Sequence, residues 1–432
     1  MTGFISSALR KVFAVFMLIW LMPSAYAVPA EVDGRAQEVF GMVKDSVVQI
    51  RTLLSGSQSQ SSIGSGFYVS DDGLIITNYH VVSSHALEPQ TYEMEYVAGN
   101  GERGSLKLLA IDVMHDLALV QRSGTGLPFL HFNTGMVAKG ERLFSLGNPM
   151  DLGLTIVDGV NNGLREHSFY DTIHFTGAIN PGMSGGPVVT KSGELVGIND
   201  ATMGDSIGFL VPGRFASELL ERWKNAHAAP IKEFQSEITR QLKVHSAALL
   251  ARLTRKPLPV QVDEGFIVPD APDPYMRCWA NESNDPKTFF SVRSYFCMGA
   301  SDVYVDEGIK MGNVSFVNAL YQTDTLDSYR FGHVLENALD KPIEGDKDAN
   351  DTNRKHFSKY ACNDSIVELN GKPVKAVLCL RSYRKFRGLY DIKLRVVSLR
   401  PGKRAMVSML NLGGVAYDDG MRMVRFYMGA LK

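Results

Sequence analysis

The chain lacks an excess of either charge. Its 45 Lys and Arg residues against 46 Asp and Glu residues give a formal net charge of -1, so no general attraction to nucleic acid or to an anionic membrane is expected. Beyond its first residues it also lacks any apolar run long enough for a membrane helix. With 45% hydrophobic and 21% charged residues, the composition is that of a soluble globular protein. The length of 432 residues predicts two or three domains.

The one long apolar run lies near the N-terminus, at residues 12–22, directly after the basic pair Arg10 and Lys11. It is too short to span a bilayer comfortably, and the stretch "AYA" at residues 25–27 supplies a small-x-small cleavage pattern. We therefore interpret residues 1–27 as a secretory signal peptide, with an uncleaved membrane anchor as the alternative. The mature protein is then expected to be periplasmic or secreted, with no stable membrane span.

Cysteine is absent from the whole N-terminal half, and the C-terminal half holds the only four, at positions 278, 297, 362 and 379. No C-x2-C pair and no paired histidines accompany them, which argues against a zinc site. An even count in an exported chain favours disulfides. Both local loops are short, so of the three connectivities we predict Cys278–Cys297 with Cys362–Cys379. We expect no metal and no cofactor.

The pattern of apolar residues changes along the chain. Short apolar runs between Gly, Asp and Asn turns up to Pro212 predict strands of an all-β barrel or sandwich, and we assign them to a domain at residues 28–212. Apolar residues three and four apart then predict helices, and a Pro-rich stretch predicts an extended linker, within residues 213–274. The remaining residues, 275–432, are expected to form an α+β domain.

Ser184 lies on a loop, "INPGMSGGPVVT", with Gly182 before it and further glycines after it. A hydroxyl is a poor nucleophile at neutral pH unless a base, a group that orients the base and donors for the oxyanion surround it. The N–H groups of Gly182 and Ser184 can serve as those donors. His80 follows an apolar strand and Asp116 precedes another, and the order His, Asp, Ser is one of the three known for such triads.

Five blocks of sequence resemble successive blocks of HtrA/DegP-type trypsin-like serine proteases, in the order of that family. They are "GSGFYVSDDGLIITNYHVV", "AIDVMHDLALV", "SLGNPMDLGLTIVDGVNNGL", "GAINPGMSGGPVV" and "SIGFLVP", and the match covers roughly residues 49–212. The resemblance implies two six-stranded antiparallel β-barrels with the active site in the cleft between them. It also implies that His80 is the general base, that Asp116 orients it and that Ser184 is the nucleophile. Asp112 is the rival for the acid.

The same resemblance assigns the walls of the specificity pocket to two segments, residues 178–180 (Ala178, Ile179, Asn180) and residues 207–209 (Ile207, Gly208, Phe209). No acid stands at the base of this pocket, so an Arg or Lys at the P1 position of the substrate is not expected. An aliphatic P1 side chain fits better.

Two departures from the family pattern matter. Met183 stands where trypsin-like zymogens carry an aspartate, so a new N-terminus cannot activate this protein by pairing with that acid, and its loop must be ordered in another way. The C-terminal half shows no clear PDZ domain of the kind that usually follows an HtrA protease. Residues 330–415 hold two stretches similar to PDZ hairpins, and a degenerate PDZ-like domain and an unrelated domain both stay open.

The expected function is that of an exported serine endopeptidase that hydrolyses protein or peptide substrates through an acyl-enzyme, with a role in protein quality control. The alternative is a binding or chaperone-like protein whose protease fold does not cleave. A protein that does not cleave has no physical need for all three triad residues, which argues against that alternative. The sequence leaves the oligomeric state open.

Overall fold

The computed structural model describes residues 34–57, 59–202, 207–263, 265–284, 287–299, 301–340, 355–369, 371–399 and 402–431. The predicted signal peptide, residues 1–27, lies outside these ranges. No helix within them combines the length and apolar character that crossing a bilayer requires.

The N-terminal domain begins with a helix and a seven-stranded antiparallel sheet. Helix α1 is Arg35–Val43 and helix α2, between the third and fourth strands, is Tyr79–Leu87. The strands are β1 Val47–Leu54, β2 Gln60–Tyr68, β3 Leu74–Asn78, β4 Tyr92–Ala98, β5 Arg103–Ser105, β6 Lys107–Asp112 and β7 Leu117–Gln121. Their order is β5-β4-β1-β2-β3-β7-β6, with β5 and β6 at the two edges.

The second sheet is a closed barrel of six strands. They are β8 Arg142–Gly147, β9 Thr155–Leu164, β10 Ile173–Phe175, β11 Pro187–Val189, β12 Leu195–Thr202 and β13 Gly208–Pro212. The order around the barrel is β10-β13-β12-β11-β8-β9. One six-stranded barrel is therefore as predicted. The first sheet differs from the predicted pair of barrels, because it has seven strands and stays open at β5 and β6.

The segment that joins the two halves is helical, as its periodicity predicted. Helix α3 is Gly213–Asn225 and helix α4 is Phe234–Leu253. The Pro-rich stretch is not simply extended, because Val260–Asp263 (β14) and Phe266–Pro269 (β15) pair as an antiparallel hairpin. Its register places Val260 opposite Pro269, so the proline lies at the end of a two-stranded ribbon where its missing N–H costs little.

A second seven-stranded antiparallel sheet forms the core of the C-terminal half. Its strands are β16 Met276–Ser283, β17 Ser291–Gly299, β20 Val314–Gln322, β21 Ala361–Leu369, β22 Lys372–Ser382, β23 Leu389–Ser398 and β24 Arg404–Ala416. Their order is β16-β17-β20-β24-β23-β22-β21. Between β17 and β20 the strands β18 Val303–Asp306 and β19 Ile309–Met311 form a separate hairpin. Helices α5 Ser328–Asp340 and α6 Tyr417–Ala430 complete this half.

Residues 330–415 do not form a sheet of their own. Their four strands, β21 to β24, continue the sheet that β16, β17 and β20 begin, because β24 pairs with β20 along its length. Ser408 on β24 donates a hydrogen bond to Asn318 on β20 across 2.8 Å, and both side chains are buried. The PDZ-like segment is thus one part of a larger sheet.

Both disulfides have the predicted connectivity. Cys278 on β16 is bonded to Cys297 on β17, and Cys362 on β21 is bonded to Cys379 on β22. In each case the two cysteines stand directly opposite one another on neighbouring strands. Each bond therefore attaches an edge strand of the C-terminal sheet to the strand inside it.

Reduction of the disulfides is expected to lower the stability of the C-terminal sheet. Each bond closes a loop of 19 or 17 residues, for which loop entropy predicts about 3 kcal/mol. Thermal unfolding with and without a reductant, beside a Cys278→Ser/Cys297→Ser double variant, measures this effect. Peptide mapping that found four free thiols in protein from an oxidising compartment would contradict the assignment.

The two halves of the chain share one hydrophobic core. Residues of α2 and of the first sheet pack together with Ile238 and Leu242 of α4 and with Val303, Val305 and Ile309 of the β18–β19 hairpin. Tyr79 in α2 is fully buried and donates its hydroxyl to the carbonyl oxygen of Val305 across 2.8 Å. The hairpin of the C-terminal half therefore supports the helix that follows β3.

Candidate active site

His80 and Asp116 come together at the end of the first sheet. His80 is the second residue of α2, and Asp116 follows a short 3-10 helix, Val113–His115, in a left-handed conformation with φ of 52°. Aspartate tolerates this region better than most residues do. His80 Nδ1 lies 2.5 Å from Asp116 Oδ2, and the backbone N–H of His80 donates to Asp116 Oδ1 across 2.9 Å. Two contacts thus fix the imidazole to the carboxylate.

Asp112, the rival acid, has different partners. His115 Nδ1 lies 3.0 Å from its carboxylate, and Arg222 of α3 donates to it across 2.6 Å. Burial alone would raise the pKa of Asp112, but His115 and Arg222 hold it below its ordinary value. Asp112 therefore joins helix α3 to the first sheet, and Asp116 is the carboxylate at His80.

The loop around Ser184 depends on two glycines with positive φ. Gly182 has φ of 94° and Gly185 has φ of 82°. A Cβ on Gly182 would lie 2.5 Å from the carbonyl oxygen of Asn148, and one on Gly185 would lie 2.3 Å from that of Ser65. Real Cβ atoms do not approach backbone oxygen so closely. Both the positive φ and the close packing of this loop therefore require glycine at positions 182 and 185.

Hydrogen bonds and one apolar side chain order this loop. Ser65 Oγ donates to the carbonyl oxygen of Gly182 across 2.8 Å and accepts from the N–H of Asn148 across 2.9 Å. Asn199, fully buried, donates to the carbonyl oxygen of Met183 across 3.3 Å. The Met183 side chain is itself fully buried in the core of the second barrel. The contacts that hold this loop are therefore a buried thioether and neutral hydrogen bonds.

The backbone N–H groups of Gly182 and Ser184 are the two donors that the sequence predicts for an oxyanion. The carbonyl oxygen of Pro181 accepts a hydrogen bond from the N–H of Met150 across 2.9 Å. In a trans peptide the C=O and N–H point in opposite directions, so the Gly182 N–H points away from Met150. Among the described residues, neither this N–H nor that of Ser184 has a backbone acceptor. Both donors are therefore available to a ligand.

The Ser184 hydroxyl points at a backbone oxygen in this structure. Its Oγ donates to the carbonyl oxygen of Asp200, at the end of β12, across 3.3 Å. This bond is long and weak, so the hydroxyl can leave it with little loss. Catalytic hydrogen bonds are often loose in ligand-free structures and tighten when the substrate binds.

The electrostatics of His80 suit a general base. Burial by itself lowers the pKa of the imidazole, but the Asp116 carboxylate, with a smaller contribution from Asp200, outweighs burial, and the pKa of His80 is raised from its ordinary value. Its side chain stays 28% exposed, against 15% for Asp116. The histidine is thus accessible to a reacting group while its orienting acid is covered.

The two predicted pocket segments lie side by side in the second barrel. Strand β10 pairs with β13, with Phe175 opposite Gly208, and Ile179 lies directly over Gly208. A Cβ on Gly208 would come within 2.8 Å of the Ile179 side chain, so this glycine makes room for it. Ala178, Asn180 and Ile207 are exposed along the same slot. Ala178, Ile179, Ile207 and Phe209 are apolar and Asn180 is polar, and the guanidinium of Arg165 lies over the Phe209 ring, 4.9 Å from its centroid.

The C-terminal half reaches the active site. The ring of Tyr304 on β18 meets the His80 ring edge-on, with centroids 5.8 Å apart. A cavity of about 670 Å³ is lined by His80 and Asp116 together with a wall from the C-terminal half that includes Tyr304 and Lys310. Sequence reasoning missed this wall, because no local motif marks a residue more than 200 positions from the histidine that it contacts.

Asp200 is a second residue that sequence reasoning missed. It closes the run "ELVGIND", which predicts a strand and a turn, and nothing in that pattern indicates a catalytic neighbour. In the structure, its carboxylate, that of Asp116 and the His80 imidazole each place an atom within 4.8 Å of the others. An aspartate near the end of β12, the second strand after the nucleophile loop, is the signal that could have found it.

A family model described as a trypsin-like peptidase domain matches residues 64–198. The protein named "Probable periplasmic serine endoprotease DegP-like" of Chlamydia muridarum is 33% identical over 170 residues, which are 37% of this chain and 33% of that one. "Serine protease HTRA3" of Mus musculus is 32% identical over 195 residues, 43% of this chain and 42% of that one. The crystal structure of the serine endoprotease from Yersinia pestis aligns with 27% identity and a TM-score of 0.38, covering 43% of this chain and 65% of that one.

These similarities concern the N-terminal half. The chain spans about a third to two fifths of the length of the curated relatives cited here, 33% and 42%. The predicted resemblance to HtrA/DegP-type, trypsin-like serine proteases is confirmed by the family model and by the curated relatives.

Proposed function

We propose that this protein is an exported serine endopeptidase that cleaves protein or peptide substrates through an acyl-enzyme. The observation that carries the proposal is the joining of His80 and Asp116 across 2.5 Å, beside a glycine loop that offers two free backbone donors around Ser184. The name of the Chlamydia relative places that protein in the periplasm. An exported protease that acts on misfolded proteins is the role that fits best.

The chemistry follows from the groups at the site. When a substrate binds, Ser184 Oγ leaves the Asp200 carbonyl, gives its proton to His80 Nε2 and attacks the scissile carbonyl carbon. The negative oxygen of the tetrahedral intermediate accepts from the N–H groups of Gly182 and Ser184. His80 then protonates the leaving amine, and a water molecule hydrolyses the ester by the same steps.

Asp116 supports this cycle without giving up its own charge. Because its Oδ2 holds Nδ1 of His80, the other ring nitrogen is left free to accept the serine proton. The carboxylate also stabilises the imidazolium that forms during attack. In the absence of substrate, the same attraction between Asp116 and the imidazolium raises the pKa of His80.

A fluorophosphonate probe tests the proposal without knowledge of the substrate. The probe phosphonylates an activated serine, so the mature protein is expected to be labelled at Ser184, and a Ser184→Ala variant is expected to stay unlabelled. His80→Ala should label far more slowly, because the hydroxyl loses its base. Wild-type protein that is folded by circular dichroism and resists the probe would favour the alternative, a binding protein on a protease fold.

The slot predicts cleavage after aliphatic residues. A P1 Lys or Arg would bury a charge against Ala178 and Ile179, which offer no counter-charge, and an unpaired buried charge is costly. An aliphatic side chain gains roughly 1.5–3 kcal/mol on burial, equivalent to about a ten- to hundredfold preference. Digestion of a peptide library, read by mass spectrometry, should show most cuts after Val, Ala, Ile or Leu. A majority of cuts after Lys or Arg would refute the pocket assignment.

A further inference from the structure

Asp200 brings a third ionisable group to the catalytic pair. Its carboxylate lies within 4.8 Å of both the Asp116 carboxylate and the His80 imidazole. Its backbone carbonyl is the one that accepts the Ser184 hydroxyl. The same residue therefore contacts the nucleophile through its main chain and lies beside the acid and the base through its side chain.

The Asp200 carboxyl has no donor that would stabilise a negative charge. Among the described residues, no N–H or O–H group donates to its side chain, and no Lys or Arg lies within ion-pair distance of it. The nearest groups are the negative Asp116 and the imidazole that Asp116 already holds. Two carboxylates so close together cannot both ionise easily, and one of them keeps a proton. Because Asp116 is bound to His80 by two hydrogen bonds, Asp200 is the one that keeps it.

We propose that Asp200 is a positioning residue of the triad, whose protonated carboxyl donates a hydrogen bond to Asp116 and whose ionisation adds a second negative charge beside His80. The proposal rests on the proposed protease function. It makes the protonation state of Asp200 a determinant of how readily His80 releases its proton.

The charges around Asp200 agree with this assignment. Burial and the charge of Asp116 raise the pKa of Asp200 to about 7, and only His80 and the more distant Lys310 of β19 oppose them. Asp302, which lies near Lys310, and Tyr304, whose pKa burial raises, also line the cavity. The remaining ionisable residues of its lining are His115, Arg165, His167, Tyr170, Asp171, Tyr275 and Arg277. Lys310 is the one fixed cation on the C-terminal wall that lowers the pKa of Asp200.

The consequence for catalysis is a shift of the acid limb of the pH profile. Ionised Asp200 raises the pKa of His80, in addition to the larger effect of Asp116. His80 must be neutral to accept the serine proton. A neutral residue at position 200 should therefore let His80 act as a base at lower pH.

The pH dependence of kcat/KM for Asp200→Asn tests this shift. Asparagine keeps the size of the side chain and a donor for Asp116 but cannot ionise. The acid limb is expected to move about half a unit to one unit lower, so that Asp200→Asn is about three- to fivefold more active, relative to its own plateau, one unit below the wild-type limb. Asp302→Asn is the matched control, because it removes a carboxyl from the same cavity that does not lie beside His80, and its limb should stay in place.

A measurement of folding stability tests the same assignment without any cleavage. A carboxyl whose pKa is raised in the folded state stabilises the fold below its ordinary pKa, and this stability is lost as the pH rises towards the folded pKa. For Asp200 the window runs from about pH 4 to about pH 7. The gain in melting temperature of Asp200→Asn over wild type should therefore be larger at pH 8 than at pH 4.

The outcomes separate the two proposals. Failure of the wild type to react with a fluorophosphonate would remove the protease function, while the stability comparison, repeated in a Ser184→Ala background, would still report on Asp200. An acid limb of Asp200→Asn that coincides with that of the wild type, or a loss of activity that is equal at every pH, would overturn the positioning role. So would a melting-temperature difference that is the same at pH 4 and pH 8.

Discussion

Asp116→Asn is expected to lower kcat by about ten-thousandfold at neutral pH while the fold stays intact. An amide can donate to His80 Nδ1, which reverses the tautomer, so Nε2 then carries a proton and cannot accept that of Ser184. The amide also removes the charge that stabilises the imidazolium. Single-turnover hydrolysis of a peptide with an aliphatic P1 residue, followed from pH 6 to pH 10, measures the loss.

Asp112→Asn is the matched control, because it makes the same chemical change four positions earlier in the chain. Its partners are His115 and Arg222, which join α3 to the first sheet. We expect near-normal kcat and a loss of roughly 1–3 kcal/mol of stability, because the buried site loses its charged acceptor. If Asp112→Asn lost activity and Asp116→Asn kept it, the two acids would have to exchange roles.

Gly182→Ala is expected to lower kcat by about a hundred- to a thousandfold, the effect of losing one donor of an oxyanion hole. An alanine Cβ would lie 2.5 Å from the carbonyl oxygen of Asn148, which cannot move without breaking the bond from the Asn148 N–H to Ser65. The Pro181–Gly182 peptide must then rotate, and its N–H leaves the hole. Kinetics on a small ester and on a peptide would both report the loss in kcat, with KM little changed.

Gly193→Ala separates this effect from backbone strain alone. Gly193 has φ of 81°, close to that of Gly182, but the nearest atom to its Cβ would be a side-chain carbon of Val43 at 3.3 Å. It should cost about 1–2 kcal/mol of stability, the usual strain of a left-handed alanine, and leave kcat unchanged. Equal losses of kcat in both variants would show that the conformation of Gly182 matters only for folding.

Much of the N-terminal half could be predicted because its information is local. The blocks around His80, Asp116 and Ser184 each combine an apolar strand with a turn that the sequence indicates directly. The connectivity of the cysteines could also be predicted, because both loops between paired cysteines are short. The hairpin in the Pro-rich segment was missed because proline suggests extended chain, and a two-stranded ribbon tolerates proline at its end.

The rest of the site depends on contacts between distant parts of the chain. The presence of Met183 in the sequence does not show what orders the loop around Ser184. In the structure, Ser65 and Asn199, which belong to strands of different sheets, hold this loop by hydrogen bonds. Tyr304 reaches His80 only because the β18–β19 hairpin packs on α2. The open first sheet could not be foreseen either, because a strand pattern does not show whether the two edges of its sheet meet.

The hairpin that supports α2 also sets the order in which the site can be completed during synthesis. Tyr79 and its acceptor Val305 are 226 positions apart, and domains generally begin to fold from the N-terminus as the chain emerges. The strands and helix around His80 can assemble early, but one side of that helix stays uncovered until the hairpin at residues 303–311 has been made. His80 therefore reaches its final surroundings late, when about seven tenths of the chain is already in place.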